Sequence, residues 1–278
     1  MSFKGLVKYM GKRLKEPAFL VISIIFVAFC LFSSVWWIVN FRASYLAMSA
    51  LFILFIPAIC IAEYLIGMRM GVGLILLVLS VAAGGILGSP FNFYTLFPHF
   101  DTLLHGISGV IFAALGYMLA ERLFGRINTR TRFVGAIVMA LSFSLAIAVV
   151  WEIHEYNCTL LLGMETMDDT LVDYIKSFVL SGTRSEPTIL EGITHTVIYY
   201  GEGKSFVIEG GYLDIGIIDT VSDMIICTVG AVVFSILAII ARRLPVLNKL
   251  LIPSVTRYES DEESVLADEA AVSMQTAE

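Results

Sequence analysis

The sequence predicts an all-α, multi-pass membrane protein: six transmembrane helices with a small extracytoplasmic insertion built from a helix and a β-hairpin. Three observations carry that prediction. Hydrophobic residues make up 58% of the 278 and charged residues only 15%, with a mean hydropathy of +0.86. A soluble domain has too little interior to hide so much apolar surface, so lipid is the solvent for most of the chain. Six runs, at 18–39, 44–66, 70–88, 102–123, 133–155 and 217–241, reach the roughly 20 apolar residues that a helix needs to cross hydrocarbon. Finally, Lys and Arg are distributed unevenly between alternate connections.

Residues 1–17 form a basic N-terminal segment, with Lys4, Lys8, Lys12, Arg13 and Lys15, which reads as a helical stretch on the inner membrane face acting as a topology signal. The run at 18–39 is longer than a signal-peptide core, and no A-x-A site follows it before Trp36 and Trp37, so it reads as a retained span with both tryptophans in the interfacial belt. Placing the N-terminus in the cytoplasm puts 14 Lys and Arg residues inside and leaves Arg42, Lys176, Arg184 and Lys204 outside. Both termini are therefore expected in the cytoplasm. The connection "SPFNFYTLFPHF" at 89–100 has five aromatics and no Lys or Arg, and is expected in the outer interface. The first five spans thus occupy 18–156.

The extracytoplasmic insertion is 157–215, with nine acids against three bases. Within it, "DTLVDYIKSFVLSG" at 169–182 has helical spacing ending at Gly182. "THTVIYY" and "KSFVIEG" flank Gly201-Glu202-Gly203 as a β-hairpin. The insertion is too small for a substantial core and reads as a lid over the outer face. The sixth span occupies 216–243, and 244–278 reads as an acidic cytoplasmic tail. From Glu259 on, seven carboxylates among few apolar residues predict disorder. Cys30, Cys60, Cys158 and Cys227 lack C-x-x-C spacing and form no disulfide framework. A net charge of −6 argues against nucleic acid as a partner; the lipid bilayer is the expected one.

The informative residues are the ionisable ones inside apolar runs. A charge at the bilayer centre costs about 2.5–3.5 kcal/mol on insertion scales. "FDTLLHGISGV" places Asp101 and His105 at i and i+4, on one helix face at the outer end of span four. "VVWEIHEY" places Glu152 and Glu155 at i and i+3 on one face of span five, while His154 points elsewhere. In "GGYLDIGIIDTVSDMIICTVGA", Asp219, Asp223, Cys227 and Gly230 form a stripe descending into span six. Singly, Asp101 and Asp219 read equally well as N-caps and Glu155 as a headgroup-level residue, and a lone His105 is more often a packing residue. Jointly, five carboxylates and one His at one leaflet need shared protons or a bound cation. They are expected around one outward-facing polar pocket.

The succession "DTLLHGISG", "WEIHE" and "GGYLDIGIIDTVSDMIICTVGA" resembles the YjdF-like membrane proteins of bacteria. More distantly it resembles the VanZ-like family, whose pattern is Asp-x-x-x-His, a Glu at a helix end, and Asp-x-x-x-Asn-x-x-Gly. The likeness covers residues 98–235. It implies a multi-pass protein of the bacterial plasma membrane, and VanZ-like members are associated with glycopeptide resistance and the cell envelope. Asp101, His105, Glu152, Asp219, Asp223 and Gly230 match the pattern; Cys227 stands where it has Asn.

Three classes of function remain open at this point. One is a membrane-embedded enzyme acting on a lipid or lipid-linked envelope precursor. Asp101, His105, Glu152, Asp219 and Asp223 would then be its catalytic set, with Asp223 and Glu152 as base or ligand, His105 as acid or ligand, and Asp101 orienting it. A divalent cation would be held by His105, Glu152, Glu155 and Asp223. The second is a transporter or ion-binding protein, and the third an envelope-stress or assembly factor whose polar cluster locks helices together.

Overall fold

The computed structural model describes residues 3–124, 129–164 and 166–255. The predicted disorder beyond Glu259 falls outside the described residues. The chain forms two units, residues 1–144 with 229–278, and residues 145–228.

In the first unit, α1 (Phe3–Leu14) leads into α2 (Pro17–Val39), which starts with Pro at a position where no helical N–H is needed. The face that α2 buries holds Ser23, Ser33 and Ser34 beside Phe19, Phe26 and Cys30, while Ile24, Ile25, Phe32 and Val35 are exposed. Large apolar groups outside and small polar ones inside suit a helix surrounded by lipid. Ser33 shares a hydrogen bond of 2.8 Å with Ser49 of the next helix. Of the two predicted belt tryptophans, Trp36 is exposed. Trp37 is instead buried, 4.9 Å from the Phe91 ring and 5.0 Å from Tyr45.

The second predicted span is two helices, α3 (Ala43–Phe52) and α4 (Phe55–Ile66). Pro57 explains the break. It has no N–H to give the Ile53 carbonyl, its ring crowds that carbonyl, and Ile56 N–H bonds Ile53 O in its place at 3.3 Å. α4 ends at Gly67, whose φ of 71° lies in the left-handed region. Strand β1 (Met68–Arg69) and α5 (Val72–Leu87) follow. At 16 residues α5 is shorter than a usual crossing helix. Among the described residues, five helical stretches, at Pro17–Val39, Ala43–Ile66 (α3 with α4), Phe100–Leu123, Thr129–Leu162 and Ile217–Ala241, are long and apolar enough to cross a membrane. This is a multi-pass membrane protein.

The 89–100 connection carries one turn, α6 (Phe93–Leu96), before α7 (Phe100–Leu123). α7 buries Gly109, Ala113, Ala114, Gly116 and Ala120, small residues that let backbones approach. Within this unit, the first part of α8 (Thr129–Leu162) and the last part of α10 (Ile217–Ala241) meet it. Ser144 Oγ donates to the Gly109 carbonyl at 3.1 Å. A Cβ on Gly230 would lie 2.2 Å from the Gly106 carbonyl oxygen and 3.1 Å from Gly109 Cα. Because backbone cannot yield there as a side chain can, Gly230→Leu is expected to cost at least the 1–3 kcal/mol or so of an overpacked core. The check is a lowered thermal midpoint in detergent and reduced membrane abundance; unchanged values would contradict this packing.

At the far end of the same unit, α11 (Pro245–Leu251) and β8 (Ser254–Val255) fold back onto the bundle. β8 pairs antiparallel with β1, and the Leu250 carbonyl would sit 2.3 Å from a Cβ on Gly71. Below them lies an ion pair the basic-segment reading missed. Arg13 and Glu63 are both fully buried. Arg13 Nε donates to Glu63 Oε2 and Nη2 to Oε1, each at 3.0 Å. Tyr9 OH and Met70 N–H donate to the same carboxylate, each at 2.8 Å, and Arg13 Nη2 also reaches Met70 O. Glu16 joins Arg13 to Arg69. α1 is thus anchored to the bundle, a role beyond that of a topology signal.

The second unit holds the insertion. The helix predicted across 169–182 is not there. Its residues form β2 (Leu171–Val172), β3 (Ile175–Ser177) and only one helical turn, α9 (Phe178–Ser181), stopped by Gly182 with φ 68°. β3 pairs with β4 (Thr188–Leu190), and β2 with β7 (Tyr212–Leu213), 40 residues away. The predicted hairpin is present as β5 (His195–Tyr200) and β6 (Lys204–Glu209), paired His195 to Glu209 through Tyr200 to Lys204.

Candidate functional site

The polar residues singled out by the sequence are divided between the units. In the first, the i, i+4 spacing of Asp101 and His105 brings His105 Nε2 to 3.5 Å from Asp101 Oδ2. Asp101 is half-buried and His105 buried. Asp101 is not an N-cap: α7 starts at Phe100 after His99, so Asp101 lies within the first turn, where the N-terminal dipole still favours a carboxylate.

In the second unit the acids of two helices meet. Glu152 and Glu155 on α8 and Asp223 on α10 each offer a carboxylate oxygen, all within 4.8 Å of one another; Asp219 and Asp223 meet the same test. Glu152 is 6% exposed and Asp223 4%. His154 lies on another face, as its position predicts, exposed and packed on Trp151 with Nε2 3.6 Å from Cys158 Sγ. Cys227, one turn below Asp223, is buried. The Lys and Arg residues of this unit, Lys176, Arg184 and Lys204, are all exposed and none belongs to α8 or α10.

One residue that the sequence reading passed over fastens the start of α10. Asp214 sits before α10, and its carboxylate accepts from Thr170 N–H and Ile218 N–H, both at 2.7 Å, and from Gly216 N–H at 3.3 Å. Asp214 therefore does the capping that Asp219 was considered for. Burial pulls its carboxyl upward, but these backbone donors outweigh that and hold it below the ordinary carboxylate range. The signal was available: an Asp two residues before a Gly at a helix start. Asp219, in the first turn, is left to accept from Asp168 N–H at 2.9 Å. On the α8 side, Thr166 Oγ1 donates to the Glu155 carbonyl at 2.8 Å. The chain from Thr166 to Thr170 is thereby fastened to the ends of both helices that carry the acids.

Three carboxylates within 4.8 Å, with Asp219 as near to one of them, cannot all stay ionised without compensation. Either protons are shared, so that part of the set titrates as a unit, or a cation supplies the missing positive charge. The donor chemistry suits a hard or borderline divalent ion: Glu152, Glu155 and Asp223 give three oxygens, and a neutral imidazole would be compatible with them.

The chain belongs to a family of membrane proteins, described as "Predicted membrane protein (DUF2238)", which matches residues 18–244. No curated protein and no solved structure matches it. The family assignment agrees with the YjdF-like resemblance and covers every acid of the candidate site.

Proposed function

We propose that this member of the DUF2238 membrane proteins carries an outward-facing divalent-cation site and uses it on a lipid or lipid-linked substrate of the bacterial envelope, in keeping with a more distant VanZ-like kinship. The observation that carries this reading is the meeting of Glu152, Glu155 and Asp223, two of them buried, within 4.8 Å. His105 would complete the ligand set, oriented by Asp101, with Asp219 at the mouth. When bound, the cation would polarise a phosphoryl or carbonyl oxygen. His105, held by Asp101, would hold or give a proton, and a carboxylate of the set would accept one.

α5, though short, would serve as the remaining crossing, giving six spans and both termini in the cytoplasm. Reporter fusions at residue 190 and at the C-terminus check this: residue 190 is expected outside and the C-terminus inside. Residue 190 on the cytoplasmic side would overturn the topology.

A conduction path is disfavoured by Glu63. It is the acid expected at the opposite membrane face, and it is held by Arg13, Tyr9 and Met70. The proposed function is tested by elemental analysis of protein purified without chelator, followed by assay of envelope lipids as substrates. A stoichiometric divalent metal is expected, with turnover that chelator abolishes. Metal-free protein that turns over such lipids unchanged in chelator would contradict the cation's role.

A further inference from the structure

Helix α1 lies outside the segment matched by the family and presents three distinct stripes. At about 100° per residue, Tyr9 and Arg13, with Leu6 and Met10, share the face packed on the bundle. Phe3, Val7 and Leu14 fall on a second line, and they are 80%, 53% and 39% exposed. Lys4, Lys8 and Lys12 fall on a third, beside the apolar one, Lys15 follows in the turn just after the helix, and all four are exposed. Only Lys15 and Glu16 separate α1 from α2, the first membrane-crossing helix. A helix so tethered lies at the membrane surface by connectivity.

We infer that α1 is an interfacial helix that seats on anionic phospholipid. Phe3, Val7 and Leu14 enter the boundary between headgroups and acyl chains, and the four lysines face phosphate. Adjacent apolar and cationic stripes are the pattern that places a helix in this plane. A competing occupant is the chain's own acidic tail, which leaves β8 beside Arg69 and Glu16. Its carboxylates would match the lysines but leave Phe3 and Val7 uncovered, so the apolar stripe favours lipid. Because Arg13, on the docked face, holds Glu63 inside the bundle, lipid bound to α1 also stabilises the fold by linkage.

The test uses the full-length protein with Val7→Cys carrying a fluorophore, reconstituted in vesicles of phosphatidylcholine alone or mixed with phosphatidylglycerol. Quenching by nitroxide-labelled acyl chains and the thermal midpoint are read in both. Quenching and midpoint are expected to rise with phosphatidylglycerol. Substituting Lys4, Lys8, Lys12 and Lys15 with Gln should abolish both rises, each lysine being worth about fivefold in affinity for an anionic surface. That variant should keep its midpoint in phosphatidylcholine. Phe3→Gln with Val7→Gln, read by midpoint alone, should lose the same rise independently. Equal quenching in the two vesicle types would overturn the proposal. So would a rise that appears only in a chain ending at residue 255, because the acidic tail would then be what occupies the stripe.

Discussion

Arg13→Met is expected to destabilise the protein by about 3–5 kcal/mol, the usual cost of leaving one member of a buried ion pair without the other. Glu63 lies at 0% exposure, so water cannot replace the two guanidinium hydrogen bonds it would lose. Tyr9 and Met70 would still donate to it, but neither carries charge. Arg13→Met also removes the guanidinium 4.6 Å above the Phe19 ring and the bond to Met70 O. Pairing it with Glu63→Leu should recover most of the loss, because replacing both ions by apolar groups is often close to neutral. Reversible unfolding in detergent, compared across the two single variants and the double, measures the coupling. A single variant as stable as the wild type would contradict the pairing.

The second large effect is expected at Asp223. In chelator, Asp223→Asn should be no less stable than the wild type, since it removes one of several carboxylates that crowd within 4.8 Å. With a divalent cation added, the wild type should gain about 2.7 kcal/mol at a hundredfold excess over Kd, and Asp223→Asn little or nothing. That pattern separates a ligand from a packing residue, which would lose stability in chelator as well. Loss of stability without the cation, or an undiminished gain with it, would assign Asp223 to packing.

The membrane helices were legible because lipid demands long, uninterrupted apolar runs, and hydropathy reads those directly. The break at Ile53–Leu54 was hidden inside such a run, although Pro57 is the residue that causes it. Positive charge before the first span marked residues 1–17 as a basic segment. A charge count, however, cannot reveal that Arg13 finds Glu63 50 positions later. In 169–182 the apolar spacing suggested a helix, but the strands formed there pair with residues 188–190 and 212–213, and local periodicity does not encode such partners. For the site, the i, i+3 and i, i+4 spacings placed each acid on its helix face. That Glu152 and Glu155 meet Asp223 is a tertiary fact, set by how the insertion returns the chain to α10. Asp214 was passed over because it stands outside the apolar run, in a turn whose backbone donors only the fold brings to it.

The proposed ligand set adds His105, held by Asp101, to the acids of α8 and α10. Cysteine pairs bridged by Cd²⁺, in a background with the four native cysteines replaced by Ser, test it most directly. Glu152→Cys with Asp223→Cys is the reference pair, drawn from within one unit. His105→Cys with Asp223→Cys is the decisive one. Protection of both pairs from a thiol reagent by Cd²⁺, with similar affinity, is the predicted result. Protection of the reference pair alone would leave His105 apart from the carboxylates and contradict a shared site.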